Sequence, residues 1–207
     1  MSRIVLLAAV AAAALAFPHL VTANYFIHLA VLAIIWMIVA QGTNVIQGYT
    51  GYVSIAQGGF MGIGAYSSAL LSLDAGFPVW IAMLVAPLAT AVAAIVAGYP
   101  SLRVKGHYFA IVTLAMNMVI FIVLVNWIPV TGGEAGTSGI PAPEPISIGG
   151  LEISFERRVN YYYLVLVALA LVMLLVTAVV RSRVGLVLQA IRQNETFAEA
   201  AGVACWR

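Results

Sequence analysis

The stretch HYFAIVTLAMNMVIFIVLVNWI, residues 107 to 128, runs for 22 residues without an acidic residue, lysine or arginine. Crossing a hydrocarbon core of about 30 Å takes roughly 20 apolar residues in a helix, so this run reads as a membrane span. It lacks the alternation of a membrane barrel strand, and lipid offers no partner to open backbone groups, so the span must be helical. Thr113 and Asn117 stand one turn apart on one face, which predicts that both point into the protein. For Asn117 the pattern leaves open an interhelical hydrogen bond and a substrate contact.

Five further segments approach or reach the same length: 4 to 22, 25 to 41, 53 to 73, 77 to 98 and 161 to 180. None contains Asp, Glu, Lys or Arg. Of the 207 residues, 64% are hydrophobic and 8% charged, whereas a soluble domain carries about a quarter charged. The expected fold is all-α: a polytopic transmembrane helical bundle of about six spans, forming a single domain over 1 to 207.

Several chemistries are excluded. Lys105 is the sole lysine and follows Val104, so no Gly-Lys-Ser/Thr phosphate loop exists. Asp74 is the sole aspartate, and His19, His28 and His107 are far apart, without the His-Glu-x-x-His pair of a zinc site. Cys205 is alone, so neither an intrachain disulfide nor a cysteine cluster is available. The net charge of +2 is scattered along the chain and does not suit nucleic acid. Neither a cofactor nor catalysis is expected.

Basic residues in short loops set orientation. With six alternating helices, Arg3, Arg103 with Lys105, and Arg181 with Arg183 fall on one side, and Asp74, Glu134, Glu144, Glu152 and Glu156 on the other. Both termini are then cytoplasmic. Arg157 and Arg158 break the pattern at the membrane end of the external loop, where headgroups can receive them. The start, MSRIVLLAAVAAAALAFP, has a second reading as a cleaved signal peptide. A retained helix is favoured, because apolar character resumes after Pro18 and the charge alternation works with the helix in place.

The external loop, 129 to 160, is dense in Gly and Pro, and ISIGGLEIS alternates about Gly149-Gly150, a hairpin signal. A small structured cap is expected there. In the third span, Gly58 and Gly62 form a Gly-x-x-x-Gly pair, Gly64 and Ser68 continue the spacing, and Ser54, Gln57 and Gly59 lie beside them. Glycines four apart let a neighbouring backbone approach, while so many weaken a helix, so close packing and a broken helix lining a polar path are both open. Ala86, Thr90, Ala94 and Gly98 make a second close-packing face in span four, which Pro87 is expected to kink.

The end of the chain, 181 to 207, is unlike the rest. Val184, Val187, Leu188 and Ile191 form an apolar stripe, with Arg192, Glu195 and Glu199 on another face. Asn194 is placed to interrupt this helix, and Thr196 with Glu199 has the spacing of a capping box for a second one. A helix pair of mixed charge suits a grip on another protein better than an anionic lipid surface.

Four stretches, GYTGYVSIAQGGFMGIGAYSSALL (48 to 71), LRVKGHYFAIVTLA (102 to 115), TGGEAGTSGIP (131 to 141) and RSRVGLVLQAIRQNETFAEAAGV (181 to 203), together resemble the LivM-type permease subunits of branched-chain amino acid ABC importers. The resemblance covers most of 25 to 203. It implies that 181 to 207 is a cytoplasmic coupling segment, with Arg192, Glu195, Glu199, Ala200 and Gly202 in a loop that fits an ATP-hydrolysing subunit. It also implies that Gly58, Gly59, Gly62, Gly64 and Tyr66 line the translocation pathway or pack beside it; Ser54, Gln57 and Asn117 join them as candidates. The implied partners are a second homologous permease, two cytoplasmic ATP-binding subunits and an external solute-binding protein, in the bacterial inner membrane.

Alternating access driven by the ATPases would carry branched-chain or other hydrophobic amino acids, with urea and short amides also open. The chain departs from the family pattern at Gly51-Tyr52, Ala56-Gln57 and Met118. Family members continue with further helices after the coupling loop, so a C-terminal truncation is expected, and with it the alternative of a non-transporting fragment. The rival from another class is an ion-coupled carrier, for which the uncharged spans provide few ion or proton sites.

Overall fold

The computed structural model describes residues 2–194 apart from 22, 102, 103, 105, 149, 150 and 156. Its helices are α1 (Ser2–Leu20), α2 (Asn24–Thr43), α3 (Gln57–Leu73), α4 (Val79–Ser101), α5 (His107–Asn126), the short α6 (Ile128–Thr131), α7 (Arg158–Arg181) and α8 (Arg183–Gln193). A π-helical segment, Asn44–Thr50, continues α2. Among the described residues, four helical runs are long and apolar enough to cross a membrane: 24–50, 79–101, 107–126 and 158–181. Of the other two expected spans, α3 is a helix of 17 residues, and α1 has a shorter apolar stretch, Ala8–Leu20.

The Gly-rich third span differs from its expected course. Residues 51–55 are not helical, and the helix begins at Gln57, not at 53. Before it, α2 runs on through the wide turns to Gly51, which takes the left-handed conformation (φ 78°) that side chains other than Gly's resist. From Gln57 to Leu73 the helix is unbroken, so the interruption lies ahead of the glycines. Span four is helical through both Pro87 and Pro100.

The helices pack in two groups. In the first, Ile27, Val31 and Ile34 of α2 form a core with Tyr162, Val165 and Leu169 of α7. Helix α1 joins this group where the Tyr162 and Tyr163 hydroxyls donate to the carbonyls of Ala14 and Leu15, at 2.8 and 3.0 Å. In the second group, α3 packs against both α4 and α5. The groups are linked by the π-helical segment with the 51–56 connector and by direct contact of α2 with α3, and α8 lies against the π-helical segment.

The loop between α5 and α7 is built from short pieces. Strands β1 (Ile146–Ile148) and β2 (Leu151–Ile153) pair antiparallel, Ile146 opposite Ile153 and Ser147 opposite Glu152. The expected turn residues, Gly149 and Gly150, lie outside the described residues. The loop is tied to the start of α4: Glu144 accepts from Val79 N–H (3.2 Å) through its carboxylate and from Trp80 Nε1 (3.1 Å) through its carbonyl. Trp80 also meets Phe155 edge-on, with ring centroids 5.1 Å apart.

Candidate functional site

Helix α3 starts without a side-chain cap, because its N-cap position is Ala56. The first N–H groups of a helix have no partner within it, and in lipid they find no water. Helix α5 supplies what Ala56 cannot. Asn117 Oδ1 accepts the Gly59 N–H at 2.6 Å, and Thr113 Oγ1 accepts the Ile55 N–H at 3.2 Å, one turn earlier. Thr113 is almost fully buried and also donates to the Ala110 carbonyl at 3.0 Å. The polar pair expected to face inward thus forms the seam between α5 and the start of α3.

Glycine makes the seam close. A Cβ on Gly59 would stand 3.0 Å from both Asn117 Oδ1 and Ile120 Cδ1, and one on Gly62 would stand 2.9 Å from Leu124 Cδ1. Gly58 is at the seam's exposed edge, 3.4 Å by the same measure from Asn117 Oδ1. Gly64 faces the other neighbour, α4, where Thr90 Oγ1 is 3.0 Å away on the same basis. Of the small-residue face expected on α4, Ala86 is buried and Thr90 meets Gly64, whereas a Cβ added at Gly98 would meet no atom within 4 Å.

Gln57 reaches back to α2, its amide filling the space over Gly42. Ser54 is half-buried in the connector. Tyr66 stands apart from these, lining a cleft of about 310 Å³ between α3, α5 and α6, with Leu70, Val123, Trp127 and Thr131 among its walls. At its floor Thr131 is buried, its hydroxyl placed to donate to the Leu124 carbonyl at 2.6 Å. Among the described residues no three His, Cys, Asp or Glu side chains are grouped to hold a metal ion.

The segment expected to serve coupling is described as far as Asn194. Ser182 caps α8, its Oγ accepting the Val184 N–H at 3.2 Å. The helix stops at Gln193, with Asn194 extended, as its interrupting position implied. On the expected apolar stripe Val187, Leu188 and Ile191 are half-buried, while Val184 and the neighbouring Leu186 are exposed. Arg192 Nη1 donates to the Gly48 carbonyl. Glu195, Glu199, Ala200 and Gly202, and with them the expected second helix, lie outside the described residues.

Sequence reasoning missed Gly42, Gly48, Gly51 and Gly185. Gly48 has Asn44 Oδ1 2.5 Å from where its Cβ would be, and a Cβ on Gly185 would collide with the Val180 carbonyl oxygen. The isolated glycine within the apolar-striped α8 was the available signal for Gly185.

Residues 25–207 match the family described as the branched-chain amino acid transport system permease component. The chain belongs to this permease family. Two curated relatives agree, both high-affinity branched-chain amino acid transport system permease proteins LivM. That of Escherichia coli (strain K12) is 34% identical, and that of Salmonella typhimurium (strain LT2) 33%, each over 211 aligned residues that take in 92% of this chain and 49% of the relative. The chain therefore spans about half the length of the curated relatives it matches. No solved structure matches it. Family membership and the four long apolar helices together make it a multi-pass membrane protein.

Proposed function

We propose that the chain is a transmembrane permease subunit of an ABC importer for branched-chain amino acids. It would alternate between outward- and inward-open states under the drive of separate ATP-binding subunits. The observation that carries this reading is the family match from residue 25 to 207, which takes in both the Gly-rich α3 and the whole segment after α7. Its partners would be a second homologous permease, two ATPases and an external solute-binding protein.

In this reading α1 and α3 complete six spans, both termini are cytoplasmic and 129–160 is external. The tyrosine hydroxyls of α7 bonded to α1 support a retained first helix. The α3–α5 seam, with Gly58, Gly59, Gly62 and Asn117, lies beside the solute path together with Gln57 on the α2 side of α3, and Glu195, Glu199, Ala200 and Gly202 meet the ATPase.

The test is co-purification of the ATPase subunits with Glu199→Lys and Gly202→Leu variants of the chain. Reversing a charge at a complementary interface can cost several kcal/mol, so both the complex and uptake should be lost while the helices remain folded. Retention of both by each variant would remove the docking role.

A further inference from the structure

We propose that Arg192 is a positioning residue that braces the joint between the two helix groups and carries displacement of α8 into the connector leading to α3. This rests on the transporter reading above. It differs from the docking role implied for Arg192, because the guanidinium is bonded to the backbone of this chain.

Arg192 Nη1 donates to the Gly48 carbonyl in the last turns of the π-helical segment. Its stem passes Gly51, where an added Cβ would stand 3.2 Å from Arg192 Cγ. Carbonyls at the end of a helix lack partners within it and carry partial negative charge, so a cation is held there by charge as well as by the hydrogen bond. The π-helical turns are themselves uncommon, and such turns concentrate at functional sites.

The connector that follows is fastened to α5 at successive points. The Tyr52 ring meets Phe109 edge-on at 5.2 Å, the Ile55 N–H is held by Thr113, and the Gly59 N–H is held by Asn117. A pull on Gly48 therefore reaches the seam through a chain held at both ends. At its other end α8 leaves α7 through the single residue Ser182, with Gly185 close against the Val180 carbonyl. Helix α8 is thus fixed to the first group and, through Gly48, governs the joint to the second.

The contact on Gly48 uses one nitrogen, so a lysine can replace it where an alanine cannot. The full chain with Cys205→Ser and Ser54→Cys reports on the connector through the rate of maleimide labelling at position 54. Arg192→Ala should raise that rate by about tenfold, the order expected for losing a hydrogen bond to a charged group, and Arg192→Lys should restore it. In chains that keep Ser54, assembled with the ATPases, Arg192→Ala should lower solute uptake per ATP hydrolysed while the ATPases still co-purify, again with rescue by Arg192→Lys. Labelling unchanged by Arg192→Ala overturns the brace. Faster labelling with an unchanged ratio of uptake to ATP hydrolysis overturns the transmission role. Absence of uptake from the unsubstituted assembly counts against the transporter reading instead, and the labelling then decides the brace alone.

Discussion

Asn117 Oδ1 accepts the Gly59 N–H across 2.6 Å, so a residue in the middle of α5 caps the start of α3. Removing it leaves that N–H unpaired at a helix end where water is scarce. Asn117→Ala should cost about 1–2 kcal/mol, which for a chain of this size lowers the unfolding midpoint in detergent by roughly 2–8 °C. Thr113→Val, at the longer bond to Ile55, should cost less. A thermal unfolding series with equal midpoints for Asn117→Ala and the unsubstituted chain would remove the cap.

The glycines of the seam should not be equally sensitive. An added methyl at Gly59 meets Asn117 Oδ1 and both Cδ1 and Cβ of Ile120, whereas at Gly62 it meets only the mobile end of Leu124. Gly59→Ala should therefore destabilise by about 1–3 kcal/mol through overpacking, and Gly62→Ala by less. Gly62→Leu, with a whole side chain to place, should separate α3 from α5. The order of the midpoints for these three variants checks this, and a Gly62→Ala more harmful than Gly59→Ala would contradict it.

Gly185 should tolerate no side chain. Its neighbour is the Val180 backbone carbonyl, which cannot turn aside as a side chain can. Gly185→Ala should displace α8 from the π-helical segment and speed tryptic cleavage at Arg183 and Arg192 about tenfold or more, as expected when a locally protected segment opens. Cleavage at the unsubstituted rate would show that α8 keeps its place.

The side of the membrane on which the hairpin lies can be read directly. Ser147 is exposed on β1, opposite Glu152. In a Cys205→Ser background, Ser147→Cys should react with an impermeant maleimide on intact cells. Reaction only after permeabilisation would invert the topology proposed from the basic loops.

How much of this was legible follows from what each feature depends on. Apolar run length placed α4, α5 and α7 to within a few residues, because lipid demands a minimum length whatever the neighbours do. The same rule misplaced the start of α3. Val53 and Ile55 are apolar enough to continue a span, but the left-handed backbone at Gly51 and the non-helical connector are not set by hydropathy. The wide turns of 44–50 have no compositional mark. Thr113 and Asn117 could be assigned to an inward face from their spacing in an otherwise apolar run, yet their partners depend on the register of α3 against α5. The Arg192–Gly48 contact joins positions 144 apart in the chain, a pairing that no local pattern encodes.

In the proposed function, separate ATPases and not an ion gradient drive solute through this protein. The most direct test is uptake of radiolabelled leucine by proteoliposomes holding the chain with the proposed second permease and ATPase subunits, and the proposed solute-binding protein outside. Uptake should require ATP inside the vesicles and persist when sodium and proton gradients are collapsed. Uptake that runs without ATP and stops when an ion gradient is dissipated would contradict it.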